Sequence, residues 1–432
     1  MAPEEHRGIV SYRADRDRYA DFYALSQQVE DPEIQLSGTL AKFISEARDR
    51  VVRASESGEP FINNNYCTAP EIAEAMEIPW FMLYEAPFLA VSAEGLLEQI
   101  DETAAMGLGT DLCTAIRSCI YYVEKDLVPV PTAMIGFIFP CDGMPMLHQV
   151  IKHSEAWGHV PMFCPDPPYF NDARSIDYFA NELKKTAAFL EQHTARKLDL
   201  DKLKEVIEES DRQYLLWQEY NELRRARPCP HGYSLGGPMC YAVSQLFKVG
   251  HKDGTEWFQR LVDLTEKKVQ KGIGAVKKEK IRLFWFDIMP SGWIFEFMPW
   301  LEEEFGAVVV MDMFGNHPYT TIDTSDEQEM WRGLAKRGLF DTPMVRQAIG
   351  PAEGFVHDLV RIVKDYQIDV VVWPGHMGHK ETQGAFGIMR EACLKLGVPF
   401  LDIRMDLFDK RYTTADQIKE KFGSFFQGMG LG

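Results

Sequence analysis

None of the eight cysteines stands in a Cys-x-x-Cys pair, which excludes a zinc ribbon and a thioredoxin-type redox motif. No Gly-x-Gly-x-x-Gly follows a strand-like run and no Gly-Lys-Ser/Thr loop occurs, so the usual cradles for dinucleotide or ATP phosphates are missing. Any ATP chemistry then has to come from a partner. The absence of a Gly-x-Ser-x-Gly elbow weakens a hydrolase reading. No stretch approaches the roughly 18 apolar residues that span a bilayer. Positive charge is scarce: 46 Lys and Arg face 65 Asp and Glu. The resulting net charge of −19 argues against nucleic acid or an anionic membrane surface as a partner. The opening Met1-Ala2-Pro3-Glu4-Glu5-His6-Arg7 lacks the charged-then-apolar layout of a signal peptide. The expected compartment is the cytoplasm, where cysteines stay reduced.

The composition is that of a globular protein, and 432 residues exceed one ordinary core, so two or three domains are expected. Residues 14–56 are charged, apolar at helical spacing and free of proline except Pro32. Within them Leu40, Phe43, Ile44 and Ala47 form one stripe of an amphipathic helix. From about residue 60, short apolar runs alternate with helices, as in a parallel α/β sheet. Strands are expected at 79–85, 132–139 and 160–164. The stretch from Asn63 to Glu71 reads as a loop entering a helix, with Thr68 as its cap. Residues 172–227 are helical, with Leu183, Leu190, Leu198, Leu203, Ile207 and Leu215 as core markers. A break at Arg227-Pro228-Cys229-Pro230-His231-Gly232 precedes a further helix at 255–270. A second α/β unit opens at 281–286 and continues with strands at 308–313, 370–373 and 400–404.

The expected fold is therefore α/β, with two Rossmann-like or flavodoxin-like parallel-sheet units. Its expected parts are an N-terminal helical segment (1–58), a first α/β domain (59–171), a helical layer (172–278) and a second α/β domain (279–432). Cys113 and Cys141 fall in the first domain, and His376 and His379 in the second. A cleft between two such units is a usual ligand site.

Cys113 opens a helix-like segment, and Cys141 directly follows the apolar run ending at Pro140. Side chains at the carboxyl ends of strands face the crevice where open α/β sheets bind ligands. The loop Trp373-Pro374-Gly375-His376-Met377-Gly378-His379-Lys380 brings two histidines to a third strand end, with glycines that allow tight turning. Each residue also has an ordinary reading: a buried thiol for Cys113, a plain Asp-Gly turn at Cys141, hydrogen-bonded structural histidines at His376 and His379. Cys67 could line the same cleft, and Cys119 points to another side of the Cys113 helix. Cys164, Cys229, Cys240 and Cys393 fit buried or turn positions.

The order of these pieces resembles the 2-hydroxyacyl-CoA dehydratase family, which includes the B and C subunits of ATP-dependent benzoyl-CoA reductase. The resemblance runs from about residue 60 to the end. Asp111-Leu112-Cys113-Thr114 is similar to the first cysteine motif, and Pro140-Cys141-Asp142-Gly143-Met144 to the second. The helical stretch 182–191, the Arg227 break, the segment 283–293 and the closing 398–412 follow in the family's order. In that family three cysteines of each subunit hold a [4Fe-4S] cluster, and a separate ATP-hydrolysing iron–sulfur activator injects one electron at very low potential. The electron reaches a CoA thioester, forming a ketyl radical that eliminates water, or an aromatic ring that becomes reduced.

This chain departs at the third motif, where Gly378-His379-Lys380 stands in place of a cysteine. Imidazole also ligates iron, and in Rieske centres it raises the potential. The resemblance thus implies a [4Fe-4S] site of Cys113, Cys141 and His379, a sister subunit and an activator protein. It also implies an acyl-CoA substrate, with Glu71, Glu85 or His376 moving protons. Dehydration of a 2-hydroxyacyl-CoA leads, and reduction of an aryl-CoA ring is the close alternative. A partner subunit whose cluster is altered or lost, and a mononuclear zinc site of His376, His379 and a cysteine, stay open.

Overall fold

The computed structural model describes residues 6–89, 96–139, 143–289, 294–343, 345–349 and 352–430. Among the described residues eight strands form two four-stranded sheets, both entirely parallel. The first comprises β1 (Ile62–Asn63), β2 (Trp80–Phe81), β3 (Ala133–Ile135) and β4 (Met162–Phe163), in the order β2-β1-β3-β4. The second comprises β5 (Ile281–Trp285), β6 (Ala307–Asp312), β7 (Val370–Trp373) and β8 (Phe400–Asp402), in the order β6-β5-β7-β8. Every residue of β5, β6 and β7 is buried, which is why these strands are apolar apart from Arg282 and Asp312. Both sheets repeat one winding, second-first-third-fourth, the flavodoxin-like order. The expected fold class is the observed one.

In that winding the chain reverses direction of travel between the first and third strands. Ligands gather at the carboxyl ends there. In the first sheet the point lies beside the segment after β3. In the second it lies where the chain leaves β5 and β7. Those ends carry Asp287 and the two histidines.

Three sequence expectations change. The Asn-rich stretch expected as a loop contributes β1, which pairs with both β2 and β3; two residues are too short to carry an alternation signal. Thr68 does not cap a helix: its hydroxyl donates to Asn64 and to the Asn65 carbonyl, while Asn65 caps the single 3-10 turn Tyr66–Thr68. The short helix Glu71–Ala75 begins without a side-chain cap. Leu215 is 48% exposed, unlike the buried Leu183, Leu190, Leu203 and Ile207.

Helices Arg7–Ser26 and Pro32–Ser57 pack on each other at the N-terminus. The second starts on Asp31, whose carboxylate accepts from the backbone N–H groups of Glu33 and Ile34, and ends on left-handed Gly58. Helices Ala173–Thr194, Leu200–Leu223 and Lys252–Lys271 supply much of the core beside the first sheet. No helix among the described residues is long and apolar enough to cross a membrane.

Candidate functional site

The loop after β7 turns at Gly375, whose φ of +57° suits glycine. His376 pairs as a bridge with Met405, anchoring the loop beside the segment after β8. The backbone N–H of His379 then donates to the His376 carbonyl at 3.1 Å. That tight turn stacks the two rings, with centroids 4.3 Å apart and planes 15° from parallel.

Each ring has a fixed partner. His379 Nδ1 lies 2.8 Å from Oδ1 of Asp287, which follows β5. The same oxygen accepts from the Ile288 N–H at 2.7 Å, and Oδ2 accepts from the Thr382 hydroxyl at 2.9 Å. Burial opposes the charged Asp287, but His379, its hydrogen bond and His376 outweigh it and hold the carboxyl below its usual range. His376 Nδ1 instead accepts from the Gly378 N–H at 3.0 Å. Burial pushes this ring down to about 3, so it is neutral near pH 7.

Cys113 arrives from the first α/β unit as the N-cap of helix Thr114–Glu124. The hydroxyl of Thr114 donates to Asp406 Oδ1 at 2.7 Å, tying that helix to the segment after β8. Asp406 also accepts from the N–H groups of Phe408 and Asp409, so its carboxylate is held on the receiving side. Across the cleft Lys380 pairs with Asp111 at 3.1 Å.

The structure thereby brings Cys113, His376 and His379 together, all buried, with one ligand atom of each within 4.8 Å of the others. Cys141 lies outside the described residues; it falls between β3 and the helix starting at Gly143. Two helix N-termini meet at the site, at Cys113 and at His379, and neither is capped by a side chain. The N-terminal end of a helix favours negative charge. A thiolate, an imidazole and this field suit an iron–sulfur or other thiophilic metal centre. The donors present fit the implied group.

Glu85 and Glu71 separate. Glu85 lines an apolar cavity of about 200 Å³, together with Tyr66, Tyr84, Phe88, Tyr241 and Phe314. Ile288 and Met289 also face it, so the cavity adjoins Asp287 and the site. Buried Arg48 lies 2.5 Å from Glu85. Burial raises the Glu85 carboxyl even against that partner. Glu71 is elsewhere, 2.6 Å from Arg337 and bonded to the Ser210 hydroxyl among the helices. It does not line the cavity. Cys67 and Cys119 are buried in the cores.

Sequence reasoning misses Asp287. Its signal is an acidic residue directly after the apolar residues 283–286, a poor place for a charge unless something pairs with it.

The family model described as the D-component of 2-hydroxyglutaryl-CoA dehydratase matches residues 65–429. The B subunit of benzoyl-CoA reductase from Thauera aromatica is 23% identical over 442 residues, covering 92% of this chain and 96% of that protein. The alpha subunit of (R)-phenyllactyl-CoA dehydratase from Clostridium sporogenes is 26% identical over 212 residues, covering 46% of this chain and 50% of that protein.

Proposed function

Because the chain belongs to the 2-hydroxyglutaryl-CoA dehydratase D-component family, we propose that it is the iron–sulfur subunit of an oxygen-sensitive cytoplasmic complex that dehydrates a 2-hydroxyacyl-CoA. A sister subunit of the same family completes the complex, and an ATP-dependent iron–sulfur activator loads it with single electrons. The observation that carries this reading is the meeting of Cys113 with an Asp287-backed His379 beside an apolar cavity.

When bound, a [4Fe-4S] cluster held by Cys113, Cys141 and His379 supplies electron transfer and an iron open to a substrate oxygen. The chain's residues do the rest. The aromatic walls take up the acyl group and exclude water, which strengthens every polar contact inside. Glu85 is the acidic residue on those walls, and its raised carboxyl suits holding a proton at Oε2 while Oε1 stays on Arg48. Neutral His376 lies beside Cys113 and His379.

The cavity supports an aromatic or bulky apolar acyl group, in keeping with the benzoyl and phenyllactyl groups named in the two relatives. Reduction of an aryl-CoA ring is the second reading, favoured by the relative that matches nearly end to end. A zinc site is the third, favoured by the Cys113, His376 and His379 grouping.

Iron, zinc and acid-labile sulfide on protein purified without oxygen, with an EPR spectrum after reduction, test the proposal. About four irons and four sulfides per chain are expected. Zinc without sulfide would favour the third reading. Neither metal in a folded chain would make this a partner subunit rather than the seat of the chemistry.

A further inference from the structure

The two stacked histidines are held by opposite kinds of partner. His376 Nδ1 receives a hydrogen from the Gly378 backbone, and a backbone N–H can only donate. With Nδ1 accepting, the ring's one hydrogen sits on Nε2. That atom is buried and has no hydrogen-bond partner among the described residues. His379 Nδ1 faces the Asp287 carboxylate, which can only accept, so a hydrogen sits on Nδ1 and Nε2 is the nitrogen that offers a lone pair when the ring is neutral.

The stacking leads to the same division independently. A metal lies in the plane of an imidazole that ligates it, about 2 Å from the nitrogen. Planes 15° from parallel, in rings stacked at 4.3 Å, do not converge on one ion at that range. The pair as arranged cannot share a metal, which counts against a zinc ion held by both histidines.

Building on the cluster reading above, we infer that only His379 is a ligand, through Nε2, that Asp287 is the residue that positions it, and that His376 is a fixed Nε2–H donor facing the same space. A carboxylate behind a ligating histidine fixes its tautomer and raises its basicity. Thr382 and the Ile288 N–H hold Asp287 in turn. This division removes His376 from the ligand set. It also gives His376 a role beyond packing, because a buried donor without an acceptor is costly until a thiolate, a sulfide or a substrate oxygen supplies one.

The tautomers are measurable in the metal-free full-length chain by 15N NMR on histidine-labelled protein, with H376Q and H379Q variants for assignment. Nδ1–H is expected for His379 and Nε2–H for His376 near neutral pH. The reverse pattern would overturn the inference whether or not the protein binds iron.

On the iron-loaded, reduced chain, pulsed EPR should show one directly coordinated nitrogen that survives H376Q and disappears in H379Q. Loss in H376Q with retention in H379Q overturns it as well. D287A should weaken iron retention about 10- to 100-fold. D287N should restore most of it, since the two N–H donors at Oδ1 keep an amide oxygen in place. Equal loss in both would reduce Asp287 to a charge without a positioning role. A chain that takes up no iron would defeat the cluster reading alone, because the tautomers are read without it.

Discussion

Gly378 lies against Cys113 so closely that a Cβ at position 378 would stand 2.4 Å from the Cys113 Cα and 2.6 Å from its Cβ. Real side chains do not approach that far, so the histidine loop and the cysteine helix meet only because residue 378 has no side chain. Gly378→Ala should push the two units apart at the site, costing about 1–3 kcal/mol by overpacking. Iron retention should fall several-fold further than stability alone explains. Iron per chain, measured beside the urea unfolding midpoint, checks this. Unchanged values for both would mean that the approach is not needed.

Cys113→Ala and Cys141→Ala should each lose iron, from about four atoms per chain to fewer than about one, while the chain stays folded by circular dichroism. Full retention in both variants would remove the proposed site.

Arg337 joins Glu71, Ser210 and Asp211 in a buried network that holds three helical segments together. Removing one partner of a buried pair leaves an uncompensated charge, at a cost of about 3–5 kcal/mol. Arg337→Ala should show that loss in denaturant unfolding and leave iron content unaltered. Glu71→Gln should act the same way at smaller size. A variant of normal stability with altered turnover would instead assign Glu71 to the chemistry.

Acid should destabilise the protein through buried histidines. Burial lowers His148 to about 4, and burial with Arg337 and Arg346 lowers His317 to about 3. The unfolded chain binds these protons near pH 6.5, so their stabilisation is full above that value and is lost as pH falls toward the folded values. Each contributes a slope of up to about 1.4 kcal/mol per pH unit across that window. His317 stacks on Tyr214, and both its ring nitrogens lack partners among the described residues. His317→Phe should therefore keep the packing and remove its share of the slope between about pH 6 and 4.5. A slope equal to the parent's would disprove that burial.

Ala242 lines the apolar cavity, and a phenyl ring there would fill space meant for the acyl group. Ala242→Phe should raise KM for the acyl-CoA about tenfold or more in the assembled complex, with stability changed by less than about 1.5 kcal/mol. An unchanged KM for every acyl chain length would place the acyl group elsewhere.

Much of the fold was legible in the linear order. Runs such as Val370–Trp373 and 307–311 are strands because a strand buried on both faces needs mostly apolar residues. The candidate residues Cys113 and His379 stood out because each follows or opens an element that faces a crevice. These are local properties, set by neighbours a few positions away. What tertiary structure alone decided are relations between distant residues: Asp287 behind His379 across 92 positions, Gly378 against Cys113, and the separation of Glu71 from Glu85. The sequence places Glu71 where a loop enters a helix and Glu85 at the end of an expected strand, and either could face a cleft. Their surroundings come from helices and strands that only folding brings near, one glutamate to Arg337 among helices and the other to a cavity wall. Periodicity records which way a side chain points, and the partner it meets depends on how whole elements pack.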